Sequence, residues 1–582
     1  MSSLQTGIKP WCRAGIFGCM MLAAWWLQGC ATVSQQHLQE AADSQLTVPV
    51  IKVKAKKALD AGQFVEAAHW YEMAAQRSDD EELAREATIS AYDHAQWRAA
   101  IRSAQRWLQI NTTSQDAHQL AALAAIRVWD IDTAVDHLQS LLESAYISPG
   151  SGFLQLLPKL QEADASASLA AIKKIVTKYD DVAEAHYVIA KLASQTANQA
   201  LMLQEAKRAS ELAPYWPLAG ITYARAQLAG GQVEQALLTV RTSYDNDKTV
   251  ATGAEYADLL IEAGKVEEAL QLLKELEKMP GEVGPALLLL AQLELQTGDY
   301  QSGFDHYSRL INSGAYTSEA MYGMAQISER AGAIDNARQL YARVQEGEYS
   351  TISQIRLAQL VRQQDGIDAA LALLKQYGDG NPDKFMDMLR ARAELLIASG
   401  DNKNAMALYD HSIATYPDET SLKLARAFLL VKLGNVDEAI QVMQKLAVER
   451  PDDPIVLNAL GYTIVDRGRD VRQGQNYVQR ALQYSPDSGA VLDSMGWAEF
   501  KLGHPAVALD YLQRAVKRTV DADLDFHLGE VLWSMKRYDD AVLAWQIGLK
   551  HAPKHDQILQ RLQMAEKQGK GSSNKGATAP AK

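Results

Sequence analysis

Three short stretches near the carboxyl end repeat one apolar pattern: Asn458-Ala459-Leu460-Gly461-Tyr462, Asp493-Ser494-Met495-Gly496-Trp497 and Phe526-His527-Leu528-Gly529-Glu530. Each sets a hydrophobic-Gly-X step inside a run whose apolar residues recur at helical spacing. A small residue follows 12 or 13 positions later, at Gly474, Ala508 and Ala541, and Pro486 and Pro553 lie 12 beyond the first and last of these. The pattern predicts two helices per unit, with the glycine and the small residue where they cross and the proline as the stop.

The small residue carries the register along the chain. It stands at Ala67, Ala100, Ala134, Ser168, Met202, Ala236, Ala269, Gly303, Ala337, Ala370, Ala405, Ala439, Gly474, Ala508 and Ala541, always 33 to 35 residues apart. Pro214, Pro417 and Pro451 repeat the stop 12 residues on. Turn signals precede many second helices, as in Gly62-Gln63-Phe64, Gly231-Gln232-Val233, Gly298-Asp299-Tyr300 and Gly434-Asn435-Val436. A unit of this length cannot bury its own apolar face and must stack on its neighbours.

The unit resembles the tetratricopeptide repeat (TPR). That resemblance implies an all-α fold of helix-turn-helix repeats stacked into a right-handed superhelical solenoid. Two segments interrupt the pattern. Pro149-Gly150-Ser151-Gly152 with Pro158 reads as a longer loop or a joint, and Tyr377 to Asp383 as a Gly/Asp/Pro-rich loop. Trp70, Trp97, Trp107 and Trp129 read as wedges between helices.

The first thirty residues stand apart from the fold. Lys9 and Arg13 precede an apolar run from Ala14 to Leu27, too short to span a bilayer comfortably. Leu27-Gln28-Gly29-Cys30 resembles the lipobox of bacterial lipoproteins, although Gln28 departs from the usual small or apolar residue. The resemblance implies lipidation of Cys30 after cleavage before it, and Ala31 implies residence at the outer membrane. The other cysteines, Cys12 and Cys19, lie in the removed leader, so no thiol is left for disulfide or nucleophilic chemistry. The expected divisions are 1–29 signal peptide, 30–50 lipidated tether, 51–145 amino-terminal repeats, 146–214 divergent repeats or joint, 215–568 carboxy-terminal solenoid and 569–582 disordered tail.

Formal charge is −13, and −15 without the leader, which argues against nucleic-acid binding. No metal or cofactor motif appears. Asp379-X-Asn381-X-Asp383 lacks the glycine and glutamate of a calcium loop, carrying Lys384 and Arg390 there. His551 and His555 flank Pro553 and read as surface residues. The repeats also leave no stretch long enough for a catalytic domain, so the chain reads as a non-enzyme.

A binding surface remains. Positions three before, one after and four after the step glycine should face the inside of the spiral. They are Asn458, Tyr462 and Val465; Asp493, Trp497 and Phe500; Phe526, Glu530 and Trp533. Aromatic area with side-chain amides and carboxylates suits capture of an extended peptide.

The whole mature chain resembles the TPR outer-membrane lipoproteins of diderm bacteria, including the NlpI and LbcA type. The resemblance implies an adaptor that faces the periplasm, binds a carboxyl-terminal processing protease and brings it peptidoglycan (cell-wall) hydrolases to degrade. The alternative is a pilotin-like escort for a secretin or an outer-membrane complex.

Overall fold

The computed structural model describes residues 45–143 and 148–568. Cys30, the leader, most of the tether and the tail from 569 lie outside the described residues. Among the described residues there are 31 α-helices, one short 3-10 turn and no strand. The α-helices form fifteen antiparallel pairs and a closing helix, Asp556–Lys567. Every one of the fifteen register residues, from Ala67 to Ala541, lies buried in the second helix of its pair. The chain is a right-handed TPR solenoid.

Local chemistry sets the helix ends. Asp80, Asp130, Asp299, Asp401, Asp453 and Asp470 accept a backbone N–H of the first turn and so cap helices. Between the two helices of most pairs one residue takes positive φ. It is glycine at Gly62, Gly231, Gly264 and others, but Ala95, Trp129, Ala197 and Lys536 in four pairs. Pro451 and Pro553 each fall two residues past the last helical residue, where a ring cannot disturb the ladder.

Three expectations need correcting. The Pro149-Gly150-Ser151-Gly152 segment is not a long loop: Pro149–Ala163 is a helix, with Pro149 in its first turn and Pro158 inside it. Pro158 removes one ladder bond, yet Phe153, Leu156, Leu157 and Leu160 are buried and hold the helix in place. One apolar cluster runs from Ala68 to Ala226 straight through this region. Likewise Ile367–Gly380 is helical, and only Pro382–Lys384 forms a short turn before the next helix. His555 is not a free surface residue either: it bonds Asp523 at 2.8 Å and accepts from the Ile558 N–H.

First helices of neighbouring pairs pack on one another through much of the chain, as Pro454–Asp466 does on Gly489–Lys501. They therefore form the inner row of the spiral.

The spiral also closes on itself. The Gln96 amide donates to the Thr415 carbonyl at 2.9 Å and Trp97 Nε1–H donates to Glu419 at 2.8 Å. Arg98 pairs with Asp418 at 3.0 Å. Arg450 donates to the Arg127 carbonyl. The Asp487 N–H donates to the Ala197 carbonyl at 3.0 Å, and the Gln199 N–H donates back to the Asp487 carboxylate at 3.0 Å. The second pair thus meets the eleventh, and the fifth meets the thirteenth. One turn of the coil takes eight to nine pairs, and a polar seam joins successive turns.

Candidate functional site

The nine residues expected to face inward come from three consecutive first helices: Pro454–Asp466, Gly489–Lys501 and Ala522–Ser534. The structure draws most of them into one cluster, more deeply than a rim of contact residues requires. Asp493, Trp497 and Phe526 are 5, 6 and 8% exposed, and Val465 is fully buried. Asn458, Tyr462, Phe500, Glu530 and Trp533 are half-buried. Phe500 packs on Trp497 at 5.4 Å, while Trp533 turns to Trp545 at 5.4 Å and Tyr538 at 4.7 Å, between the helices of its own pair.

The centre of the cluster is a residue absent from the expected set, His527. Its ring stacks on Trp497 at 4.2 Å and 22°. Its Nδ1–H donates to both oxygens of Asp493 at 2.9 and 3.0 Å. Burial opposes charge on His527, but the Asp493 charge and hydrogen bond, with the charges of Asp523 and Asp466, together outweigh it and raise the imidazole above its usual range. Burial pushes the Asp493 carboxyl up, with His527 opposing. Tyr462, 6.2 Å from His527, has its phenol raised by burial and by Asp466, Asp493 and Asp523. A signal was present: His527 sits 34 residues after Asp493, one repeat on, so an acid and a base meet across adjacent helices.

Around this pair the edges are charged. Glu530 pairs with Arg561, and burial raises its carboxyl against the pull of that arginine. Lys501 lies 4.4 Å over the Trp497 ring. Three polar atoms on the three successive helices are buried without a hydrogen-bond partner: Asn458 Oδ1, Trp497 Nε1 and Glu530 Oε1. Unmade bonds of this kind each cost about 1–3 kcal/mol. Two acceptors and one donor are the complement of an extended backbone, which offers both N–H and C=O groups.

Among the described residues no group of three histidine, cysteine or acidic side chains is placed to hold a metal ion. No described helix is long and apolar enough to cross a membrane.

Family models described as tetratricopeptide repeat match residues 256–318, 396–461 and 494–548. The chain is 27% identical over 211 residues to the TPR repeat-containing protein PA4667 of Pseudomonas aeruginosa, covering 36% of each. It is 23% identical over 306 residues to the cellulose synthase operon protein C of Pseudomonas fluorescens, covering 48% of this chain and 23% of that one. The matched segments thus span about a third and a quarter of those relatives' own lengths. Among solved structures, the Cut9–Hcn1 hetero-tetramer of APC/C aligns over 90% of this chain and 98% of its own, at 14% identity and a TM-score of 0.31. Yeast Tom70 aligns over 89 and 95%, at 11% identity and a TM-score of 0.32.

Proposed function

The chain is a tetratricopeptide-repeat protein, whose trade is protein–protein interaction, and from that premise we propose a lipid-anchored, non-catalytic adaptor on the periplasmic side of the outer membrane. In this reading Cys30 carries the anchor. One surface of the coil holds a carboxyl-terminal processing protease and another presents protein substrates such as peptidoglycan hydrolases. The observation that carries a binding role is the row of partnerless Asn458 Oδ1, Trp497 Nε1 and Glu530 Oε1 on three successive inner helices. The adaptor role and its place rest on the leader and on the resemblance of the mature chain to such lipoproteins. Holding enzyme and substrate together raises their effective concentration to roughly millimolar, which speeds cleavage with no added catalytic group.

The test is affinity capture of the full chain from solubilised envelope, followed by reconstitution with what it brings down. A serine protease with cell-wall hydrolases, whose cleavage quickens when the chain is added, supports the adaptor. A secretin or barrel subunit in their place overturns it in favour of the escort. Two substitutions probe the inner row without emptying it: Asn458→Ala, and Trp497→Phe, which keeps a ring but removes the N–H. Each should weaken one capture step by about tenfold, the worth of one hydrogen bond in a dry site.

A further inference from the structure

Where the two turns of the coil face each other they leave a cleft of about 1610 Å³, separate from the inner row described above. One wall is the set of inter-helix turns around Phe64, Trp97 and Arg127. The other runs from Phe385 and Arg392 to Tyr416 and Arg450. The floor is a line of rings that crosses the seam. Phe64 lies 5.9 Å from Tyr416, and Tyr416 lies 5.3 Å from Phe385. Burial, with Asp379 adding, pushes the Tyr416 phenol up to about 12.

Two guanidiniums line the cleft from opposite walls, Arg127 and Arg392, and each has a buried Nε with no hydrogen-bond partner. Arg127 is otherwise engaged: it donates to the Glu162 carbonyl at 2.9 Å and lies 5.5 Å over Trp97. Arg392 is not. Burial lowers its affinity for a proton, and Asp379 compensates in part. That aspartate is held by Lys375. Other acids of the cleft are matched as well. Asp387 pairs with Arg390, Asp164 and Asp453 with Arg450, and Asp383 with Lys384, while Glu419 accepts from Trp97. Asp93 and Glu162 are exposed. A half-buried cation whose neighbouring carboxylates are taken carries a desolvation cost that an incoming carboxylate offsets.

We propose that this cleft binds a protein segment presenting a carboxylate beside an apolar side chain. The carboxylate goes to Arg392, with Arg127 facing it, and the apolar side chain goes to the Phe64, Tyr416 and Phe385 floor. A small molecule fits less well, since such sites run to about 300–1,000 Å³ and this cleft is larger. Because its walls belong to different turns, the bound segment also holds the coil closed. The site stands independently of any role with a protease.

Calorimetry on the full chain in detergent tests the assignment with three probes. The first is acetyl-Gly-Ser-Leu-Phe-Leu with a free carboxyl terminus. The second is the same peptide as its amide. The third is the amide acetyl-Gly-Ser-Leu-Glu-Leu-Phe. At least one carboxylate probe should bind saturably, the plain amide should bind at least about tenfold more weakly, and Arg392→Met should weaken the carboxylate probe by a similar factor. Whichever carboxylate probe binds says whether a chain terminus or an acidic side chain is the source. Arg392→Met should keep or raise the melting temperature, because it removes an uncompensated cation; a lower one assigns Arg392 a structural role and overturns the site. Failure of that variant to fold is the limit of the same loss and overturns the site in the same way; Arg392→Lys, which keeps the charge but not the fork, should fold and weaken the carboxylate probe. Failure of both carboxylate probes to bind, or equal binding of the amide, also overturns the proposal.

Discussion

Gly461 and Gly474 meet across the thirteenth helix pair so closely that a Cβ on either would stand 2.7–2.8 Å from the carbonyl oxygen of the other. The obstacle is backbone on both sides, and backbone in a helix cannot swing aside. At Gly496 the nearest obstacle to a Cβ is the Leu512 side chain at 2.7 Å, which can rotate, with the Ala508 carbonyl oxygen at 3.2 Å. Gly461→Ala should therefore cost more than Gly496→Ala, within the roughly 1–3 kcal/mol of an overpacked contact. Gly496→Leu should exceed Gly496→Ala. Chemical denaturation of the three variants gives the order, and equal losses would show that the helices slide apart freely. Hydrogen exchange should confine the damage to adjacent pairs.

The turn between the last two paired helices places Lys536 at φ 63, where glycine stands in most other pairs. A left-handed conformation costs a residue with a Cβ about 1–2 kcal/mol, and glycine returns part of that gain as unfolded-state entropy. The Lys536 side chain is exposed, so little packing is lost. Lys536→Gly should stabilise the carboxy-terminal pairs by roughly 0.5–1 kcal/mol. A lower melting temperature for the variant would contradict this.

Much of this fold could be read in the chain, because the residues at helix crossings must be small and recur with the repeat. Even Ser168 and Met202, which depart from alanine and glycine, lie buried in the second helices where spacing alone puts them. Proline punctuation misled at Pro149 and Pro158: the same ring that ends a helix also starts one, and burial of Phe153 and Leu160 decides in favour of helix. Of the site, the offset to the step glycine picked out residues most of which the fold brings together, but not the depth of Trp497, since burial there depends on how His527 of the next pair stacks on it. The seam was invisible to local pattern. Arg98 and Asp418 are 320 residues apart, and the pitch of the whole coil decides that they meet.

The buried His527–Asp493 pair makes stability depend on pH. The His527 imidazole is raised in the folded chain above its unfolded value of about 6.5. Its contribution is then complete below that value and is lost as pH rises through the folded value. His186, raised by its hydrogen bond to Glu205, acts in the same direction in another part of the chain. The difference between wild type and His527→Asn isolates the first pair. That difference in melting temperature should shrink from about pH 6 toward pH 9. A constant difference would mean that His527 is neutral throughout.

Membrane attachment is expected to rest on Leu27-Gln28-Gly29-Cys30. Cys30→Ala should abolish acyl labelling and release the protein from the outer-membrane fraction, because about 0.8 kcal/mol per buried CH2 is lost with the chains. Persistence of the variant in that fraction with unchanged gel mobility would assign attachment to another segment.

The seam between turns contains contacts of very different worth, and Arg450 is the one on which closure should depend. Arg98 is 56% exposed in its pair with Asp418, so solvent screens that contact and Arg98→Ala should cost at most about 1 kcal/mol. The Arg450 side chain is 8% exposed. It reaches the Arg127 carbonyl in the third pair and stands 3.9 Å from Asp164 and 3.3 Å from Asp453. Burial and the charge of Asp164 already push the Asp453 carboxyl up, and Arg450 opposes them. Arg450→Met would leave that buried carboxylate without its counter-ion, a change worth roughly 3–5 kcal/mol. The coil has a cheaper escape than unfolding: it can part along the seam and let water reach Asp453. Small-angle scattering should therefore show a larger radius of gyration for Arg450→Met than for wild type or Arg98→Ala, with helical content unchanged. Asp453→Asn added to Arg450→Met removes the stranded charge and should restore part of the closure. Equal radii for all four proteins would show that apolar contacts such as Phe64 on Tyr416, and not the buried arginine, hold the turns together.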